Sequence, residues 1–142
     1  MDVKNIRDVG RRATIYISGK MTGLEDLGKG SMDSVEEGLR EIGFLNIINP
    51  YYEVDQGAHF TWTEAMVIDI HQILVRDVKA MVLIEGWEES KGAYLEVLLF
   101  LALGIPIFNT EGWEITRNIA EELDPIHMHT MIGRMYKESH GG

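Results

Sequence analysis

Residues 80–109 read AMVLIEGWEESKGAYLEVLLFLALGIPIFN, and their pattern decides the architecture. Ala80-Met81-Val82-Leu83-Ile84 is an unbroken apolar run, the mark of a strand covered on both faces in a parallel sheet. A polar turn spans Gly86 to Lys91. Gly92 to Leu103 is a strongly apolar helix stopped by Gly104, and Ile105-Pro106-Ile107-Phe108-Asn109 is the next strand. Upstream the same alternation recurs. Ala13-Thr14-Ile15-Tyr16-Ile17-Ser18-Gly19 is a β-rich run, followed by the loop Lys20-Met21-Thr22-Gly23 and a flexible stretch over 24–31. A helix capped by Ser31 or Asp33 runs to Ile42, with Val35, Leu39 and Ile42 on one face. Gly43 ends it, and Leu45 to Asn49 is a strand closed by Pro50. Thr61 and Glu64 form a capping box for a helix from Trp62 to about Arg76. Trp113 to Leu123 is a last helix, broken by Asp124-Pro125.

The order β-α-β-α-β-α-β-α predicts a parallel sheet with helices on both faces. We expect one domain over 13–123, with a loose arm at 1–12 and a tail at 124–142. In such sheets ligands sit at the carboxyl ends of the strands. Three of those ends are Ser18-Gly19-Lys20, Asn49-Pro50-Tyr51 and Glu85-Gly86-Trp87, and they face one crevice.

Composition excludes several classes. Thirteen Lys and Arg stand against 23 Asp and Glu, a formal charge of −10, which suits no nucleic-acid polymer, because Lys and Arg carry that affinity. The longest apolar run, Val97 to Gly104, falls far short of the ~20 residues of a membrane span, so no membrane partner is expected. The chain has no Cys, which removes disulfide and thiolate chemistry and agrees with a cytoplasmic protein. His127-Met128-His129 pairs two His without a carboxylate partner and predicts no metal site.

Several residues are candidates for chemistry. Gly92 opens a helix whose N–H groups point into the crevice and favour an anion. Ser90, just before it, is placed to donate to a phosphate. Glu96 is a lone carboxylate in an apolar helix, costly unless partnered. It lies either on an exposed stripe, paired with Lys91 or another base, or in the crevice. Tyr16 lies inside a strand, so its hydroxyl needs a partner, and a crevice carboxylate such as Glu96 serves. Ser18-Gly19-Lys20-Met21 is a strand-to-helix loop whose small residues and N–H groups can cradle phosphate, although it lacks the P-loop order. Asp69 pairs with Glu96 if both helices start at the crevice. Asp77 opposes its helix dipole, which marks it as either functional or a turn cap. Trp62 and Tyr51–Tyr52 suit stacking on a base, core packing or subunit contact.

With these residues in view, Ile15 to Gly19, Asn49-Pro50, Asp69, Asp77, Gly92 with Glu96, and Leu103 to Ile107 together resemble the nucleoside 2-deoxyribosyltransferase superfamily. The similarity is closest to its phage and prophage group DUF4406, whose Gly-Trp-Glu-x-Ser-x-Gly-Ala-x-x-Glu pattern is matched by Gly86 to Glu96. It covers about residues 13–109. The resemblance implies a flavodoxin-like or Rossmann-like three-layer α/β sandwich with a four- to five-stranded parallel sheet. It also implies cleavage of an N-glycosidic bond without a cofactor. Glu96 takes the role of nucleophile, Tyr16 steadies it, and Asp69 and Asp77 are acids near the base. Ser18, Gly19, Lys20, Met21, Gly86, Trp87, Ser90 and Gly92 are the implied substrate and phosphate contacts. Transferases acting on free nucleosides carry an Asp where this chain has Ser90. A hydroxyl there resembles the branch that hydrolyses nucleoside 5′-monophosphates, since a carboxylate would repel phosphate. The expected activity is therefore nucleotide N-hydrolysis. Base exchange and non-catalytic nucleotide sequestration are the alternatives, and homo-oligomeric assembly in a bacterial or phage-infected cell is the expected setting.

Overall fold

The computed structural model of the chain describes residues 4–21, 23–53 and 61–123, together with 133 and 137. The strands are β1 (Thr14–Ser18), β2 (Asn46–Ile48), β3 (Val78–Leu83) and β4 (Ile107–Phe108). The helices are α1 (Lys29–Ile42), α2 (Pro50–Glu53), α3 (Trp62–Val75), α4 (Lys91–Leu103) and α5 (Thr116–Glu122). The four strands lie in the order β2-β1-β3-β4, and every pairing is parallel. The alternation read from the sequence is thus the observed α/β sandwich.

Strand side chains alternate between faces, and the core divides accordingly. Ile15, Ile17, Ala80, Val82 and Phe108 face α1, whose Met32 and Leu39 are buried against them. Tyr16, Ile48, Met81, Leu83 and Ile107 face the opposite layer, where Ile73 of α3, Val97 and Phe100 of α4 and Ile119 of α5 close the core. On the outer surface α3 and α4 leave Val67, Leu74, Val75, Leu95 and Leu103 exposed.

Residues 4–12 differ from the expected loose arm. Asn5 and Asp8 form a reciprocal cap on a short turn over Ile6–Asp8, and Ile6 is 2% exposed within the α1-side core. Its N–H donates to the Gly112 carbonyl at 2.7 Å, and Asn5 pairs antiparallel with Trp113. A single buried Ile in a polar segment has no periodicity, so only its tertiary setting reveals it. Trp113 consequently belongs to this clamp and not to the last helix, which starts at Thr116. The stretch before α1 is also more ordered than expected, since Asp26 accepts from the N–H groups of Gly28 and Gly30 and α1 begins at Lys29. The tail beyond 123, with His127 and His129, lies outside the described residues apart from 133 and 137.

Candidate active site

β1 presents Tyr16 and Ser18 on one side, two residues apart, toward α4. Glu96 enters α4 six residues after its N-cap, Ser90, and turns inward at 5% exposure. The Tyr16 hydroxyl donates to Glu96 Oε2 at 2.5 Å, and the Ser18 hydroxyl donates to Oε1 at 2.7 Å. Both are in the short range of hydrogen bonds to an ionised acceptor. Of the two settings open to Glu96 from sequence, the structure has the buried, partnered one. Ser18 therefore holds a carboxylate instead of standing in an anion loop. Strand alternation carried that signal, since Tyr16 and Ser18 necessarily share a face.

Burial pushes the Glu96 carboxyl up to about 7, and the two hydroxyl donors pull against that rise. Burial and then the neighbouring Glu96 hold the Tyr16 phenol well above its ordinary value, so it remains a donor. Asp69, in the second turn of α3, is pushed up to about 8 by burial, with Glu96 and Glu53 adding to the rise. Its Oδ1 is enclosed and has no hydrogen-bond partner among the described residues. Two carboxyl groups, both raised chiefly by burial, thus border one space.

That space is a cavity of about 150 Å³ lined by Asp69 and Glu96, by Gly19 and Met21 after β1, by Pro50 after β2, and by Ser90, Gly92 and Ala93 at the start of α4. Trp62, Ala65 and Met66 of α3, with Leu27 and Met32, supply an apolar wall. A cavity of this size accepts one six-membered ring. Two glycines let the walls approach. A Cβ on Gly19 would stand 2.9 Å from Ile84 Cβ, and one on Gly92 would stand 3.2 Å from Met66 Sδ. Ser90 Oγ accepts from the Ala93 N–H at 3.2 Å and so caps α4, leaving its own O–H for another partner. Lys20 lies between two lining residues and is ion-paired to Glu89 at 3.2 Å.

Other expected site residues are placed elsewhere. Asp77 terminates α3 in a left-handed conformation (φ 50°), is exposed, and pairs with Lys79 at 3.1 Å. It lies before β3, at the end of the sheet away from the cavity, because α3 rises about 1.5 Å per residue and eight residues separate Asp77 from Asp69. Trp87 is buried and stacks on Tyr94, ring centroids 5.7 Å apart, so it supports the base of α4 from the core. Gly86, left-handed at φ 92°, makes the turn into that packing and does not line the cavity. Asn49 is buried but turns its amide toward Asp33 and Glu36 of α1, at 3.2 Å each. The cavity wall residues Leu27, Met32, Ala65 and Met66 are not among the residues singled out from the sequence. Their role depends on which helix face meets the strand ends.

The family model for Domain of unknown function (DUF4406) matches residues 13–109. No curated protein matches the chain, and no solved structure does. The matched segment runs from the start of β1 to the end of β4 and contains Tyr16, Ser18, Asp69, Ser90 and Glu96. With more than half its length covered by that one model, the chain belongs to the DUF4406 family.

Proposed function

We propose that the chain cleaves the N-glycosidic bond of a nucleoside 5′-monophosphate, with Glu96 as nucleophile and Asp69 as general acid. The observation that carries this reading is the buried Glu96 carboxylate, oriented by Tyr16 and Ser18 and sharing a cavity with an acid that holds its proton at neutral pH. Cleavage passes through an oxocarbenium-like state, which a desolvated, oriented carboxylate stabilises or captures. A Glu96 oxygen forms a bond to the anomeric carbon as the carbon–nitrogen bond breaks. The Asp69 proton goes to the departing base. Water then adds to the same carbon, releases Glu96 from the ester, and returns a proton to Asp69. The products are the free base and the sugar phosphate, and the chemistry calls for neither a metal nor an organic cofactor.

The resemblance to nucleoside 2-deoxyribosyltransferases supports the bond class. Ser90 at the cavity rim, where the transferases of free nucleosides carry a carboxylate, favours a phosphorylated substrate. The test is chromatography of the purified protein incubated with ribo- and deoxyribonucleoside 5′-monophosphates and the matching nucleosides. Free base should appear from a monophosphate, and Glu96→Gln should lower its release by about three orders of magnitude or more. Unchanged turnover by that variant removes Glu96 as nucleophile. A new nucleoside on addition of a second base would assign the transferase reaction instead. Binding without product would assign a sequestering role.

A further inference from the structure

The mouth of the cavity carries an ion pair that the chemistry above does not use. Lys20 follows Gly19 and precedes Met21, and Glu89 precedes Ser90. All three of these neighbours line the cavity. The bond from Lys20 Nζ to Glu89 Oε2, 3.2 Å long, therefore ties one rim to the other. The partners are unequal: the Lys20 side chain is 31% exposed and the Glu89 side chain 71%. Lysine is the held member, and the glutamate swings away at little cost. Glu89 also lies in a loop with Glu85 and Glu88, so three carboxylates stand beside Lys20, while the second cation at this rim, Lys91, lies 4.4 Å over the Trp62 ring. An incoming anion meets like charge there until a cation is turned toward it.

We propose that Glu89 is a specificity-setting residue, an internal counter-ion that occupies Lys20 when the site is empty and that a substrate phosphomonoester must displace. The inference rests on the nucleotide reading above and adds to it. Glu89 weakens binding of the phosphorylated ligand relative to its unphosphorylated counterpart, and it does so through Lys20. The exchange replaces one carboxylate–ammonium contact by a phosphate–ammonium contact, with no change in covalent bonds. It keeps Lys20 screened while the site is empty and lowers the preference for the dianion that Lys20 provides.

The test is a double-mutant cycle read by calorimetry, with Glu89→Gln, Lys20→Met and the pair, in the Glu96→Gln background so that ligands survive. The probes are a nucleoside 5′-monophosphate, its nucleoside and inorganic phosphate. Glu89→Gln should tighten the monophosphate about two- to fivefold over the nucleoside, the range of an exposed ion pair, and more at low salt. Lys20→Met should weaken the monophosphate, and adding Glu89→Gln to it should restore nothing. Tightening of equal size in the Lys20→Met background would show general charge repulsion and overturn the proposal, as would an unchanged monophosphate-to-nucleoside ratio in Glu89→Gln. If Glu96→Gln disturbs folding, initial-rate KM values with Glu96 intact give the same cycle. Failure of the unmodified protein to bind or cleave any member of the panel would instead overturn the nucleotide reading, and this inference with it.

Discussion

Glu96 is the one charged side chain between Gly92 and Gly104, and the surrounding apolar helix makes its ionisation costly. The two hydroxyls of β1 counter that cost, and their effect has a definite sign. Nucleophilic attack needs Glu96 ionised, so kcat/KM should rise as pH climbs through about 7. Proton donation needs Asp69 protonated, so it should fall as pH passes about 8. The expected profile is a narrow bell, whose two limbs belong to the coupled pair and not to either residue alone. Tyr16→Phe removes a bond that lowers the Glu96 carboxyl. The acid limb should therefore move to higher pH and the maximum should drop about tenfold, the worth of one hydrogen bond to a charged group. A pH–rate profile of both proteins checks this, and an acid limb that stays in place would show that Tyr16 does not set the ionisation of Glu96.

At the scale of elements, the chain leaving β1 and the chain leaving β3 come close at Gly19 and Ile84. The new methyl of Gly19→Ala would lie 2.9 Å from Ile84 Cβ, which is attached directly to the backbone and has little freedom to yield. That variant should lose about 1–3 kcal/mol in denaturant unfolding, as overpacked sites do, and the loss should be independent of ligand. An unchanged midpoint would mean that the strand ends separate freely. Element type was legible wherever the signal is local. Thr61 and Glu64 cap α3 reciprocally, as their spacing requires, and the apolar run at Ala80 to Ile84 is a central strand. Element ends and facings were less legible. Sequence spacing offered Asp69 as a partner for Glu96 and left Asp77 as either functional or a turn cap; the rise along α3 carries Asp77 away from the crevice. Trp87 sits in a polar turn, but its ring finds Tyr94 one turn into α4, a contact that depends on the path of the turn.

At the scale of the whole molecule, alternation of strand and helix suffices for a parallel sheet, because right-handed crossovers leave few other arrangements. The closure of that sheet was not legible. It depends on Ile6, Gly112 and Trp113, more than a hundred residues apart in the chain and lying on both sides of the family-matched segment. A fragment limited to residues 13–109 uncovers the Phe108 and Val82 side of the core. It also loses Ile119 and Leu123 from the opposite layer. We expect it to melt at least about 10 °C below the full chain, since each lost core side chain costs roughly 2–5 kcal/mol. Thermal unfolding by circular dichroism compares the two, and equal melting temperatures would make the flanking segments dispensable.

The clamp also gives the molecule a direction under load. Lys4 and Ile6 bond Glu114 and Gly112 in antiparallel sense. Tension applied across Lys4 and Glu114 therefore opens those bonds one after another, like a zipper, at low force. Once they part, the same tension reaches β1 from its start and β4 from its finish. These strands run parallel with β3 between them, so the pull now acts in shear on the five β1–β3 pairs and the two β3–β4 pairs. Stretched across these two residues, the protein first gives way softly at the clamp and then stiffens. The strands that position Tyr16 and Ser18 are part of the stage that holds.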